Sequence, residues 1–127
     1  MKIFHDVNPP LIALLATGLL ALALPCLARA DDAVARGREL WLRPGLSDAN
    51  GTVRRCTTCH GADPRLPGRH ERTGKIIQAM APSRTPTRFS DAAHTEKWFL
   101  RNCEWTFGRE CSPEEKTAVL AYLRDCR

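Results

Sequence analysis

The sequence of 127 residues is poor in aromatic side chains, with three tryptophans, one tyrosine and four phenylalanines. It has no alternating run of β-branched residues, which argues against a sheet, and no internal repeat or low-complexity segment. The formal net charge is +5, but no cluster of lysines and arginines alternates with aromatic residues, so nothing indicates a nucleic-acid partner. These absences predict a small helical protein.

A single long apolar run lies near the N-terminus and has the features of a secretory signal peptide. Lys2 precedes an apolar stretch over residues 11–24, and a small-residue cleavage site follows at residues 28–30. The stretch, about 14 residues long, is too short to span a bilayer comfortably, although a retained N-terminal anchor is the alternative. We therefore predict that residues 1–30 are removed on export to the periplasm. Residues 31–127 would then form one domain with no stable membrane insertion.

The most informative motif is the pentapeptide Cys-Thr-Thr-Cys-His that begins at Cys56. The thiols of Cys56 and Cys59 can add to the two vinyl groups of one porphyrin, and His60 is then held under the iron as its proximal ligand. A thioredoxin-like redox pair would need a βαβ context, which is missing. A zinc site would need a second ligand pair, and Cys103 and Cys111 are poorly spaced for one. The motif therefore predicts one covalently attached haem c.

Three segments have helical patterns. The first, residues 33–42, places Gly37 and Trp41 on one apolar face. The second, residues 91–102, has Ser90 available as its N-cap. Residues 61–89, between the haem motif and the second helix, are rich in loop-forming residues, and we expect only a short helix there, over residues 75–80.

The third helix has strong start signals at its N-terminus. Ser112 is placed as N-cap, Pro113 occupies the first helical position, and Glu115 completes a capping box. With an N-terminal helix leading into the haem motif and a C-terminal helix to pack across it, the fold class is all-α. It resembles the class I cytochrome c fold, with Gly37 and Trp41 placed like the glycine and aromatic where the terminal helices of that fold cross.

From the residues alone, the ligand on the other face of the haem stays open. Met80 would give a conventional electron carrier, but it lies only 20 residues after His60, and a loop side chain at the haem edge is the favoured role. His94, near the start of the second helix, is a bis-histidine candidate. Asn102 would, on this pattern alone, simply end the second helix.

A set of short motifs, in order along the chain, resembles the sphaeroides haem protein family, which comprises small exported monohaem cytochromes of the class I fold. The resemblance extends from about residue 35 to residue 123 and so covers nearly the whole predicted mature chain. The motifs are Arg72-Thr73-Gly74-Lys75, Ala81-Pro82-Ser83, Pro86-x-Arg88-Phe89, Glu96-Lys97-Trp98, Arg101-Asn102-Cys103, Gly108-Arg109-x-Cys111 and Glu115-Lys116.

This resemblance implies a specific distal site. Asn102 would be the distal ligand and Cys103–Cys111 a disulfide beside it, while Cys126 is left over. The family resemblance also implies that Asn102 is released on reduction, that O₂, NO or CO then binds, and that a dihaem cytochrome c is the redox partner. A conventional carrier with Met80 or His94 as sixth ligand is the alternative. No proton donor is evident for an enzymatic reaction, so enzymatic turnover stays open.

Contacts around the haem are predicted from chemistry alone. The proximal histidine usually donates its second N–H to a backbone carbonyl, for which Pro64 or a neighbour in residues 61–68 is the candidate. Arg72, Lys75 and Trp98 are the expected partners of the haem propionates, because arginine in particular forms charge-assisted hydrogen bonds to carboxylates. A solvated surface position is the alternative for each of these three.

Overall fold

The computed structural model describes residues 24–127, with side chains from residue 30, so most of the predicted signal peptide lies outside the described residues. The described chain forms four helices and one two-stranded sheet. No helix within this part is long and apolar enough to cross a membrane. In chain order the elements are α1 Leu24–Leu42, α2 Cys56–His60, β1 Gly68–Arg69, β2 Ile76–Ile77, α3 Ala92–Phe107 and α4 Pro113–Asp125.

The two terminal helices form the largest helix–helix interface of the described chain. They cross at Gly37, where an added Cβ would lie 2.6 Å from the carbonyl carbon of Ala118 and 2.7 Å from Cβ of Tyr122. Only glycine permits this approach. Trp41, one turn further along α1, is 3% exposed, and Leu123 of α4 is 1% exposed. The predicted positions of Gly37 and Trp41 at the crossing are confirmed.

Helix α4 begins where its sequence signals predict. The Ser112 hydroxyl accepts a hydrogen bond from the Glu115 backbone N–H at 3.2 Å, and the Glu115 carboxylate accepts one from the Ser112 N–H at 3.0 Å. Pro113 follows at the first helical position. This reciprocal capping box uses two N–H groups that would otherwise lack helical partners.

Helix α3 differs from its predicted bounds at both ends. Asp91, not Ser90, is the N-cap, because its carboxylate accepts from the His94 N–H at 2.9 Å. The Ser90 hydroxyl instead donates to the carbonyl of Thr87 at 2.8 Å. The helix continues past residue 102 to Phe107 and ends at Gly108, whose φ of 70° provides a left-handed C-cap.

The short helix predicted over residues 75–80 is wrong, because Ile76 and Ile77 form a strand. They pair antiparallel with Arg69 and Gly68. The turn between the strands is closed at Gly74, whose φ of 67° suits glycine. β-branched isoleucines favour extended backbone, but a run of two residues is too short to give a recognisable alternating pattern.

Helix α3 makes few direct contacts with the other helices and is attached mainly at its C-terminal end. The Leu46 N–H donates to the carbonyl of Thr106 at 2.7 Å. The Arg54 guanidinium donates to the carbonyl of Trp105 at 3.1 Å and lies over the Trp105 ring. The segment between α1 and α2 therefore holds the end of α3, while most of α3 does not pack against another helix.

The helix crossing generates a stability prediction. Replacing Gly37 with Val should lower the free energy of unfolding by about 1–3 kcal/mol, because the new side chain collides with the backbone of α4. Glu39→Val, at an exposed position of the same helix, is the matched control and should change it by less than about 0.5 kcal/mol. Urea unfolding of the haem-loaded protein measures both. Equal effects would mean that the crossing is not tightly packed.

Candidate haem site

The two cysteines of the haem motif lie on the short helix α2. Helical geometry brings Cys56 and Cys59, three residues apart, to the same face. Both thiols are free and half-buried. Burial raises the pKa of the Cys56 thiol to about 11, so it is uncharged at neutral pH. The structure therefore presents two neighbouring, reduced thiols, as covalent attachment to one porphyrin requires.

His60, the last residue of α2, has the environment of a metal ligand. Burial, and secondarily the positive charge of Arg88, lowers its pKa to about 4, so the imidazole is neutral, which is the form that binds metal. Its Nδ1 is buried and has no hydrogen-bond partner. A buried polar atom without a partner is rare and often marks a functional group. The two thiols and the neutral, buried imidazole of the motif therefore fit a covalently attached haem.

The predicted hydrogen bond from His60 to the carbonyl of Pro64 is not present. That carbonyl instead accepts the backbone N–H groups of Met80 at 2.8 Å and of Ala81 at 2.9 Å. The sequence of the loop after the motif suggests only local acceptors for His60. The segment of Met80 and Ala81, which begins 16 residues after Pro64, occupies this acceptor, and no local pattern indicates that contact.

Other elements hold the motif helix in place. The Trp41 indole N–H donates to the carbonyl of Gly61 at 3.1 Å, and its ring lies 5.5 Å from that of His60. On another side, strand β1 approaches so closely that a Cβ on Gly68 would lie 2.8 Å from Cα of His60. The Glu71 N–H donates to Sγ of Cys59 at 3.4 Å. Helix α1 and the hairpin thus fix the orientation of the motif.

Asn102 lies within α3, five residues before its end, so the alternative that it terminates this helix is wrong. It is half-buried and shares one helix face with Thr95, Phe99 and Thr106. Its side-chain amide makes no hydrogen bond to another described residue. The next residue, Cys103, is 5% exposed and forms a disulfide with Cys111, with Cα atoms 5.6 Å apart. These cysteines bind each other, so they do not provide ligands for a zinc site.

The two alternative sixth ligands, Met80 and His94, lie in different parts of the fold. The Met80 backbone is bonded to Pro64, in the loop that follows His60, which places its backbone beside the proximal loop. His94 is exposed in the first turn of α3, and its ring packs 6.1 Å from the ring of Trp98. The choice among Asn102, Met80 and His94 as sixth ligand stays a prediction.

The structure does not bring the three expected propionate partners together. Arg72 and Lys75 are exposed at the hairpin turn, and no hydrogen bond or ring contact within the described residues joins them to Trp98. Trp98 is 44% exposed on α3, with the Arg101 guanidinium 5.5 Å from its ring centre. A role of these residues at the propionates stays a prediction.

The role of one charged residue near the motif is not evident from the sequence. Arg88 lies in the family motif Pro86-x-Arg88-Phe89, and its half-buried guanidinium donates hydrogen bonds to the carbonyls of Gln78 and Ala79. Its charge acts on His60. An arginine preceded by prolines and threonines in a loop gives no local signal of burial, because the contacts come from residues ten positions away.

Comparison with solved structures defines the class of protein. Oxidised SHP, described as an oxygen-binding cytochrome c, superimposes with a TM-score of 0.64 at 43% identity, covering 79% of this chain and 93% of SHP. Oxidised cytochrome c'' of Methylophilus methylotrophus gives 0.67 at 27% identity, covering 88% and 94%. A solution structure of cytochrome c'', described in terms of haem-ligand detachment, gives 0.59 at 26% identity, covering 78% and 94%. The chain is a c-type cytochrome with the predicted helical class I fold, and haem c is its cofactor.

The sequence comparisons identify the family. The chain is 50% identical to the cytochrome c-type protein SHP of Cereibacter sphaeroides over 88 residues, covering 69% of this chain and 67% of that relative. It is 36% identical to cytochrome c'' over 74 residues, covering 58% of this chain and 51% of cytochrome c''. Residues 28–123 match the family described as domain of unknown function DUF1924, and the chain belongs to this family. The predicted resemblance to the sphaeroides haem protein is confirmed.

The geometry of α2 generates a test of attachment. Replacing both Cys56 and Cys59 with Ala should abolish haem retention in a denaturing gel stained for peroxidase activity, since no thioether can form. Cys126→Ser, which removes a thiol outside the motif, should retain the stain. Stain in the double variant at the wild-type level would overturn the attachment at these two residues.

Proposed function

We propose that this chain is an exported monohaem cytochrome that transfers electrons and, when reduced, releases Asn102 so that small diatomic ligands can bind. The observation that carries this proposal is the position of Asn102 in α3, half-buried and directly before a disulfide, with a side-chain amide that makes no hydrogen bond within the described residues. The similarity to SHP, which is described as oxygen-binding, supports it.

In this proposal Cys56 and Cys59 attach the haem and His60 is its proximal ligand. The neutral, buried imidazole of His60 and the common face of the two thiols on α2 support these roles. Haem c supplies a one-electron couple and, when its sixth position is free in the ferrous state, a site for O₂, NO or CO. The protein then determines when that position is free.

The chemistry of Asn102 provides the redox dependence. An amide oxygen is a hard neutral donor, which is tolerated by Fe(III) and poorly matched to the softer Fe(II), whereas a methionine thioether favours Fe(II). Reduction therefore weakens the hold of Asn102. The disulfide at Cys103 limits how far the backbone of Asn102 can move, so that the amide can return on oxidation. Ligand detachment in cytochrome c'', a relative of this chain, supports a movable ligand.

The proposal includes the cellular setting and a partner. Removal of residues 1–30 would deliver the domain to the periplasm, where the Cys103–Cys111 disulfide can form. Residues 31–127 keep 17 of the 19 lysines and arginines and 13 of the 14 acidic residues, a formal charge of +4. This basic excess favours docking to an acidic redox protein, for which we propose a dihaem cytochrome c.

The first test concerns coordination in the two redox states. Because Asn102 suits Fe(III) better than Fe(II), the reduced protein should be five-coordinate, high-spin and quick to bind CO in its optical spectrum. Asn102→Met should raise the reduction potential where the thioether reaches the iron, because that ligand favours the ferrous state.

The matched control is Glu104→Ala, at an exposed position of the same helix, which should leave both spectra and the CO-binding rate unchanged. A six-coordinate, low-spin ferrous spectrum with a sharp α-band in the wild-type protein would instead favour the conventional carrier with Met80 or His94 as ligand.

The second test concerns the disulfide. Replacing Cys103 and Cys111 together with Ser removes a cross-link over a sequence separation of 8 and should cost about 2–3 kcal/mol of stability. It should also alter the ferric spectrum or the rate of ligand entry, because the backbone of Asn102 is less restricted. Thermal unfolding and CO-binding kinetics measure the two effects, with Cys126→Ser as control.

Loss of stability with unchanged ferric coordination and ligand-binding rates would show that the disulfide stabilises the fold without acting on Asn102. Mass spectrometry of the native protein that found Cys103 or Cys111 paired with Cys126 would contradict the assignment.

A further inference from the structure

Lys116, in the first turn of α4, has no role in the function proposed above. Its side chain is 15% exposed, and its Nζ donates to the carboxylate of Glu96 in α3 at 2.7 Å and to that of Glu110 at 3.3 Å. Within the described residues, the contact with Glu96 is the only ion pair that joins α3 to another helix. Lys116 therefore connects α3, the loop that follows it and α4.

The position of Lys116 is not explained by the stability of its own helix. The positive end of the helix dipole lies at the first turn, where it favours acidic side chains such as Glu114 and Glu115 and disfavours a cation. Both partners of Lys116 lie outside α4. Its place in the sequence therefore serves the contacts with α3 and with the preceding loop.

The first turn of α4 is itself firmly held. The carboxylate of Glu115 accepts two hydrogen bonds of 2.8 Å from the guanidinium of Arg109, in the loop that the disulfide closes. It also accepts one of 3.4 Å from Arg43, directly after α1. The close crossing at Gly37 fixes α4 against α1 as well. Lys116 thus attaches α3 to a part of the fold that has its own restraints.

Asn102 lies between two attachments of α3. Glu96, which binds Lys116, is six residues earlier, or about 9 Å along the helix axis. Cys103, the next residue, is linked to Cys111, which lies directly before the N-cap of α4. A helix held only at its C-terminal part can tilt about that part. The ion pair of Lys116 restricts this tilt, because it holds α3 on the other side of Asn102.

We propose that Lys116 is a positioning residue, whose ion pair with Glu96 holds α3 so that the Asn102 amide stays on the ferric iron and resists displacement by an external ligand. The inference rests on the proposed function, in which Asn102 is the ferric ligand. An internal ligand lowers the apparent affinity for an external one in proportion to the population it occupies. Removing the charge of Lys116 loosens α3 and should therefore raise the affinity of the ferric protein for an added ligand.

The experiment is an optical titration of the ferric, haem-loaded protein with imidazole at low ionic strength, where ion pairs are least screened. Lys116→Met removes the charge and keeps most of the apolar stem, which preserves its packing. A surface ion pair changes an equilibrium by up to about fivefold, so this variant should bind imidazole about three- to fivefold more tightly than the wild-type protein. Lys116→Arg, which keeps the charge, should bind it within about twofold of wild type.

Three further variants complete the design. Lys97→Met removes the same charge from an exposed position of α3 that forms no ion pair with a described residue, and it should leave the affinity unchanged. Asn102→Ala should itself raise the affinity, and adding Lys116→Met to it should give no further rise, because no internal ligand is left to position. Glu96→Gln removes the partner on α3 and should act as Lys116→Met does, so the test does not depend on one variant folding.

Wild-type affinity in both Lys116→Met and Glu96→Gln would overturn the proposal, and so would an equal rise in Lys97→Met. A further rise when Lys116→Met is added to Asn102→Ala would also overturn it, because the ion pair would then obstruct ligand entry instead of positioning Asn102. Failure of the proposed function gives a different result, in which Asn102→Ala has the ferric spectrum and the imidazole affinity of the wild-type protein.

Discussion

The close crossing of α1 and α4 is the constraint on which the rest of the site depends. With only hydrogen at position 37, the backbone of α1 comes into contact with that of Ala118. This brings Trp41 between two rings, 6.3 Å from Tyr122 and 5.5 Å from His60. The tryptophan then binds the carbonyl that follows His60. The glycine at position 37 thus helps to determine, through Trp41, where His60 lies.

The two sides of the site are held in different ways. On the proximal side, α1, the hairpin and the segment around Met80 all contact the residues at or after the motif. Helix α3 is attached at its C-terminal end through Thr106 and Trp105, by the disulfide, and by an ion pair of 2.7 Å between Glu96 and Lys116 of α4. A tightly held His60 together with a less tightly packed α3 suits the proposed mechanism, in which Asn102 leaves and returns.

Local chemistry accounts for how much could be predicted from the sequence. The start of α4 follows from a capping box within a few residues, and the haem motif is contiguous. The predicted N-cap Ser90 is wrong because two adjacent residues, Ser90 and Asp91, offer similar side-chain acceptors, and the choice depends on where the chain arrives from the preceding loop. The strand Ile76–Ile77 is too short to show the alternation of apolar and polar residues by which strands are recognised in a sequence.

The unpredicted parts of the site are contacts between distant segments. The carbonyl of Pro64 is an expected acceptor for His60, but it accepts the backbone N–H groups of residues 80 and 81 instead. The burial of Arg88 depends on the carbonyls of residues 78 and 79, to which no local pattern points. The position of Asn102 inside α3 also required the structure, because asparagine in sequence is equally typical of a helix end.

The central claim is that the bond between Asn102 and the iron depends on the redox state. Crystal structures of the haem-loaded protein in its ferric and ferrous states test this claim most directly, through the separation of the Asn102 Oδ1 from the iron. The account predicts coordination distance in the ferric crystal and a withdrawn amide in the ferrous crystal. Coordination by Asn102 in both states, or by Met80 or His94 in either, would contradict it.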